Sequence, residues 1–138
     1  MAWWLMKSEP DVYGWDDLVR DGEGYWDGVR NAQAANNMKA MQPGDRALFY
    51  HSNIGLQAVG VMEIAAPAEP DRTDDSGKWV AVRVRPVAPL PHPVSLKTMK
   101  GDARLEGLAV IRHSRLSVSP VSADHWRIIM ELGKFTEA

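Results

Sequence analysis

Four short polar segments concentrate the hydrogen-bonding side chains of this chain: "KSEP" (Lys7 to Pro10), "WDGVRN" (Trp26 to Asn31), "FYHSN" (Phe49 to Asn53) and "RHSRLSV" (Arg112 to Val118). In the second, an indole, a guanidinium fork and an amide stand within six residues. Together these groups can grip a flat, polar ligand: a ring face for stacking, and donors and an acceptor for its edge. Plainer roles exist for each. Ser8, Ser52 and Asn53 are ordinary turn residues, Asn31 is a good helix N-cap, and Trp26 taken alone reads as core filling. Arg30 is harder to dismiss, because a cation just before a helix sits at the wrong end of the helix dipole and wants an anion or a carbonyl-rich ligand.

Other chemistries lack their residues. The sequence has no GxGxxG, Walker A, HExxH or GxSxG motif. With no cysteine, disulfides, thiolate nucleophiles and cysteine-based zinc sites are excluded. The four histidines, His51, His92, His113 and His125, show no metal-ligand spacing, so no metal or other cofactor is expected. The net charge is −2, whereas a protein that grips many phosphates is usually basic. Any contact with nucleic acid is therefore expected to be local and shaped. Six tryptophans are many for this length, and their flat faces suit stacking as well as packing.

The elements that must position these segments are short. "AWWLM" reads as a buried strand that "KSEP" ends. "WDDLVR" reads as a helix stopped by "DGEG", and Asn31 is predicted to cap a helix over Ala32 to Met41 with Ala34, Met38 and Met41 on one face. "RALFYH" and "LQAVGVMEI" form a predicted hairpin around "SNIG". Residues 67 to 78 read as an exposed loop. "WVAVRVRPV" alternates, with Val80, Val82 and Val84 on one face and Arg83 and Arg85 on the other, and "PLPHP" is expected to stop its ladder. "SLKTMK" reads as a capped helical turn or two, "ARLEGLAVI" is ambiguous, and "SRLSVSPV" is a strand with Leu116 and Val118 apolar. Ser122 caps a last helix closed by Gly133.

The 138 residues fit one domain over 1–138 with a core of its own. No apolar run is long enough for a membrane span or a signal peptide. A cytoplasmic monomer is expected. Short strands mixed with short helices pack naturally as a partly closed barrel, an α+β arrangement in which closure hides strand edges.

The segments "WWLMKSEP", "WDGVRNAQAANNMKAMQPGD", "ALFYHSN", "PVSLKTMK" and "SRLSVSPV" resemble the EVE-domain family, in order and spacing, from about Trp4 to Leu132. The resemblance implies a PUA-like mixed β pseudo-barrel surrounded by short helices. It also implies a non-catalytic nucleic-acid-binding module with a pocket for a flipped, modified base, modified cytosine in DNA being favoured and RNA possible. Carried onto this chain, Trp26 offers a ring face, and Arg30 and Asn31 reach the base edge or a neighbouring phosphate. Lys7 and Ser8 line the pocket, Tyr50, His51, Ser52 and Asn53 form another wall, and Arg112, Ser114 and Arg115 close it. Trp79 is a candidate second aromatic wall. The chain departs from the family at Ala35, where arginine is common, and at His113, where glutamine is frequent.

Flipping a base costs a few kcal/mol, and stacking on an aromatic side chain returns about 1–3 kcal/mol. A methyl or hydroxymethyl group would need a small recess that Ser8, Ser52 or Ser114 could border. Two other readings use the same pocket: a nucleotide-processing enzyme with His51 or His113 as base, which lacks a zinc set and an activated nucleophile, and a small-ligand or protein-interaction module.

Overall fold

The structure is a computed structural model that describes residues 1–136. Its elements run β1 (Trp3–Ser8), α1 (Trp15–Asp21), β2 (Gly24–Trp26), α2 (Ala32–Ala40), β3 (Arg46–His51), β4 (Gln57–Ile64), β5 (Glu69–Pro70), β6 (Val80–Ser95), α3 (Leu96–Lys100), α4 (Ala109–Arg112), β7 (Val118–Val121) and α5 (Ala123–Leu132), with a 3-10 turn at Ala103–Leu105 between α3 and α4. Six strands form one curled mixed sheet in the order β2-β6-β4-β3-β1-β7, and β5 adds to β6. β1 and β3 are parallel, pairing Trp3 with Arg46 through Ser8 with His51. The other pairings are antiparallel.

Both faces of the sheet are covered, which explains why its central strands read as unbroken apolar runs. Trp4, Met6, Ala47, Phe49, Val82 and Val84 pack on one face with Trp15 and Leu18 of α1 and Ala34 and Met38 of α2. The alternate residues Leu5, Leu48 and Tyr50 pack on the other with Met99, Val110, Trp126 and Ile129 of the later helices. The side-chain period of two separates these sets. The helix ends follow the sequence signals. Gly22 closes α1 at φ 75°, Asn31 Oδ1 accepts from Ala34 N at 2.9 Å, and Ser95 and Ser122 cap α3 and α5. The "QPGD" turn also anchors the chain start. The buried Asp45 carboxylate accepts from Ala2 N, Trp4 Nε1 and Gln42 N at 3.0–3.1 Å.

Three expectations change, one of them being that β7 starts only at Val118, after a turn at Ser114–Arg115. The prolines after Val87 do not stop β6, which runs for 16 residues and pairs with β4 as far as Gln57 with Ser95. β2 covers only Val82 to Val84, so the later part of β6 has a ladder on the β4 side alone, and prolines are tolerated on such an edge. Register shifts between Ala58 and Gly60 and between Val61 and Met62 absorb the irregularity. The 67–78 segment is also more than an exposed loop, since it holds β5 and the buried Asp71.

Gly60 of β4 sits under the six-membered ring of Trp15, and a Cβ there would lie 2.5 Å from Trp15 Cζ3. Gly60→Ala should therefore displace Trp15 and cost about 1–3 kcal/mol. A urea unfolding midpoint equal to that of the parent would contradict this packing.

Candidate base-binding site

β2 and β7 end the sheet on opposite sides, and no ladder joins them among the described residues. The sheet curls far enough for α2 to pack on both β6 and β7. Asn37 Nδ2 ties α2 to β7 by donating to Val118 O at 2.7 Å. The barrel is thus left with a seam, and at this seam lies a cavity of about 690 Å³. Its walls come from both sides. Lys7, Ser8 and Ser117 belong to the β1/β7 side, and Tyr25 and Trp26 to β2, followed by the turn through Val29 and Arg30. The volume lies in the range of ordinary ligand sites, about 300–1,000 Å³.

Four of the sequence candidates, Lys7, Ser8, Trp26 and Arg30, meet here. Lys7 is half-buried, its Nζ donates to Ser114 O at 2.9 Å, and burial pulls its pKa below the ordinary lysine value. Ser8 Oγ donates to Tyr13 O at 2.6 Å, leaving its oxygen free to accept. Trp26 is only 8% exposed and stands edge-on to Phe49, with centroids 5.3 Å apart. It is core first and offers the cavity only a margin of its ring. Arg30 has found an anion within the chain. Its Nη1 donates to Asp71 Oδ2 at 2.9 Å and to Val29 O, and its Nη2 to Thr73 Oγ1 at 3.0 Å.

The remaining candidates lie elsewhere. Asn31, Arg112, Ser114 and Arg115 line a second, shallower recess of about 340 Å³ with His113, across the Lys7–Ser114 contact from the first. Tyr50 does not reach the cavity, being 2% exposed in the core of the opposite sheet face. Strand alternation puts it there, since Phe49 and His51 take the near face. His51 braces α1: its Nε2 accepts from Trp15 N at 3.1 Å, and burial, partly offset by Asp16, lowers its pKa. Ser52 and Asn53 belong to the β3–β4 turn, where Ser52 N donates to Ser8 O at 2.9 Å and Asn53 has φ 69°. Trp79 stays outside the cavity, with the Arg30 guanidinium 5.9 Å and Lys78 Nζ 4.7 Å from its ring.

The sequence did not single out Asp71, Tyr13 or Tyr25. Asp71 matters most. Burial pushes its carboxyl pKa up, but the Thr73 hydroxyl and amide, the Arg30 guanidinium and the Gly28 amide outweigh that and hold it well below the usual carboxylate range. It fastens the turn that carries Arg30 to a loop about 40 residues away. Its only sequence signal is the Asx pattern "DRT", in which Thr73 N and Oγ1 donate back to Asp71 Oδ1. The cavity also holds the acidic Asp21, Glu23 and Asp27, so it offers acceptors beside the donors of Lys7 and Arg30. Among the described residues no group of three or more histidine or acidic side chains could hold a metal ion.

The EVE domain model matches residues 2–132. The chain belongs to the EVE-domain family. Rpa0253 from Rhodopseudomonas palustris is 46% identical, with a TM-score of 0.93 and coverage of 100% of this chain and 97% of that one. Zebrafish (Danio rerio) thymocyte nuclear protein 1 is 33% identical over 94% of this chain and 71% of its own length. Human THYN1, solved in complex with DNA containing 5-methylcytosine, is 28% identical with a TM-score of 0.89, over 99% of this chain and 100% of that one. The curled mixed sheet with its short helices is the α+β, PUA-like pseudo-barrel expected of an EVE domain. No helix among the described residues is long and apolar enough to cross a membrane.

Asp71→Asn should test the turn of this EVE domain. One amide oxygen cannot serve both Thr73 and the Gly28–Arg30 pair, and a buried donor left unpartnered costs about 1–3 kcal/mol. A urea midpoint at pH 7 matching that of the parent would mean that Asp71 does not fasten the Arg30 turn.

Proposed function

We propose that this EVE domain is a non-catalytic reader that holds a flipped, modified base of DNA, a modified cytosine, in the seam cavity. The observation that carries this reading is the donor–acceptor pairing of the walls. Cytosine presents an amino group that donates and a ring nitrogen and carbonyl that accept, and carboxylates are natural partners for its amino group. The cavity sets Asp21, Glu23 and Asp27 as acceptors near the Lys7 and Arg30 donors. Val12 and Val29 supply apolar surface and Ser8 and Ser117 hydroxyls beside it, which suits a methyl or hydroxymethyl substituent. The DNA bound by human THYN1, which contains 5-methylcytosine, supports DNA as the polymer.

In this reading Lys7 and Ser8 contact the base edge and Trp26 closes the floor. Arg30, fastened by Asp71, turns its remaining donors toward the base or its phosphate. Asn31, Arg112, Ser114 and Arg115 face the strand beside the flipped nucleotide, while Tyr50, His51 and Trp79 support the walls from behind. The protein acts as a monomer, and its lack of cysteine fits the reducing cytoplasm expected from the sequence.

Oligonucleotides that differ only in a single cytosine, methylcytosine or hydroxymethylcytosine test this. One modified form should bind more tightly than plain cytosine. Lys7→Met, which keeps the stem and removes the charge, should weaken that binding at least about tenfold, as expected for one charge-assisted hydrogen bond. The log–log salt slope should stay much shallower than about −5, the value for six phosphates. Equal affinity for all three forms, or a Lys7→Met protein that binds as the parent does, would remove the reading.

A further inference from the structure

The β3–β4 hairpin ends in a tip that its own fold does not explain. Ile54 is 56% exposed and Leu56 44% exposed, two aliphatic side chains held in water on either side of Gly55. The backbone is costly as well. Asn53 has φ 69°, Gly55 φ 89° and Leu56 φ 44°. Asparagine and glycine adopt the left-handed region readily, but leucine does not, and such strain persists where the surrounding structure imposes it. Here the backbone is fixed on both sides: Ser52 N donates to Ser8 O, and Leu56 O accepts from Leu96 N at 2.9 Å. The tip is an apolar point held at both ends by backbone hydrogen bonds.

Its position gives it a use. β1 and β3 are parallel and end together at Ser8 and His51, so the tip rises from the same end of the barrel as Lys7 and Ser8. Ile54 lies two residues beyond Ser52, at most about 7 Å of chain from the residue that bonds to the cavity wall. On the far side of the tip, Gly55 and Leu56 border a recess shared with Lys97 and Lys100 of α3. An apolar point is thus set between the seam cavity and two cations. A duplex that gives up one base into the cavity would present a gap in its stack beside that cavity and phosphates further along.

We propose that the Ile54–Leu56 tip is a wedge that enters the gap left in a DNA duplex by the flipped base, with Lys97 and Lys100 meeting the backbone beyond it. Apolar side chains inserted between base steps offset the cost of unstacking them. This rests on the modified-base reading above and adds to it a role in opening the duplex that the cavity does not supply.

A single strand has no stack to open, which gives the test. The parent protein, Ile54→Ser and Leu56→Gly are each titrated with the preferred modified oligonucleotide, once as a single strand and once as a matched duplex. Leu56→Gly removes the side chain and relieves the positive φ, so its thermal stability should equal or exceed that of the parent and a loss of binding cannot be blamed on unfolding. Each variant should bind the duplex at least about tenfold more weakly and the single strand within about twofold of the parent. A 2-aminopurine placed next to the modified base in the duplex should brighten with the parent protein and stay dim with the variants. Unchanged duplex affinity, or equal losses for duplex and single strand, would overturn the wedge. Failure of the parent to prefer any modified strand would instead overturn the reading on which it rests.

Discussion

The architecture turns on one aromatic contact set. Phe49, near the middle of β3, is met edge-on by Trp15 of α1 at 5.7 Å, by Trp26 of β2 at 5.3 Å and by His51 at 5.5 Å. Aromatic pairs in this geometry add about 0.5–1.5 kcal/mol beyond the apolar area they bury. Here they do more than stabilise. β2 and β1 lie at different places along the open sheet and share no ladder with each other, so no direct backbone pairing links them. Phe49 reaches both β2 and the helix that follows β1. These ring contacts join the Asn37–Val118 hydrogen bond in holding the two sides of the seam together. Gly60 belongs to the same constraint, because its missing side chain is what lets the Trp15 ring lie against β4.

An unclosed seam is also what lets the proposed base-reading role fit a mildly acidic protein. A closed barrel satisfies its edges internally, whereas a seam leaves the ends of two strands and their side chains to face one small volume. Lys7, Arg30 and three carboxylates line it in a chain whose net charge is only −2. Asp71 completes the arrangement from a distance. By taking one face of the Arg30 fork it fixes the direction of the guanidinium, so that the arginine is oriented before a ligand arrives.

Much of this was legible in the sequence, and the failures have physical reasons. Helix starts and stops were readable because caps are local: Asn31, Ser95, Ser122 and Gly22 act within four residues of themselves. The "KSEP" and "WDGVRN" segments reach one cavity because their strands end at the seam, which family resemblance implied and periodicity alone did not. The expected wall of Tyr50 to Asn53 fails at Tyr50, because a strand sends successive side chains to opposite faces and Tyr50 faces away from Phe49 and His51. That alternation was available from the sequence. The course of β6 through its prolines was not, because it depends on β2 being too short to cover that edge. Nor was Asp71, whose partners Gly28 and Arg30 lie 43 and 41 residues away and whose own surroundings have the composition of an ordinary turn.

The most direct test of the account is a crystal structure of this domain with a short duplex carrying one modified cytosine. The modified base should be turned out of the helix and lie in the seam, between Lys7 and Ser8 on one side and Trp26 and Arg30 on the other. A complex in which every base stays stacked, or in which the base lies against another surface while the seam stays empty, would contradict it.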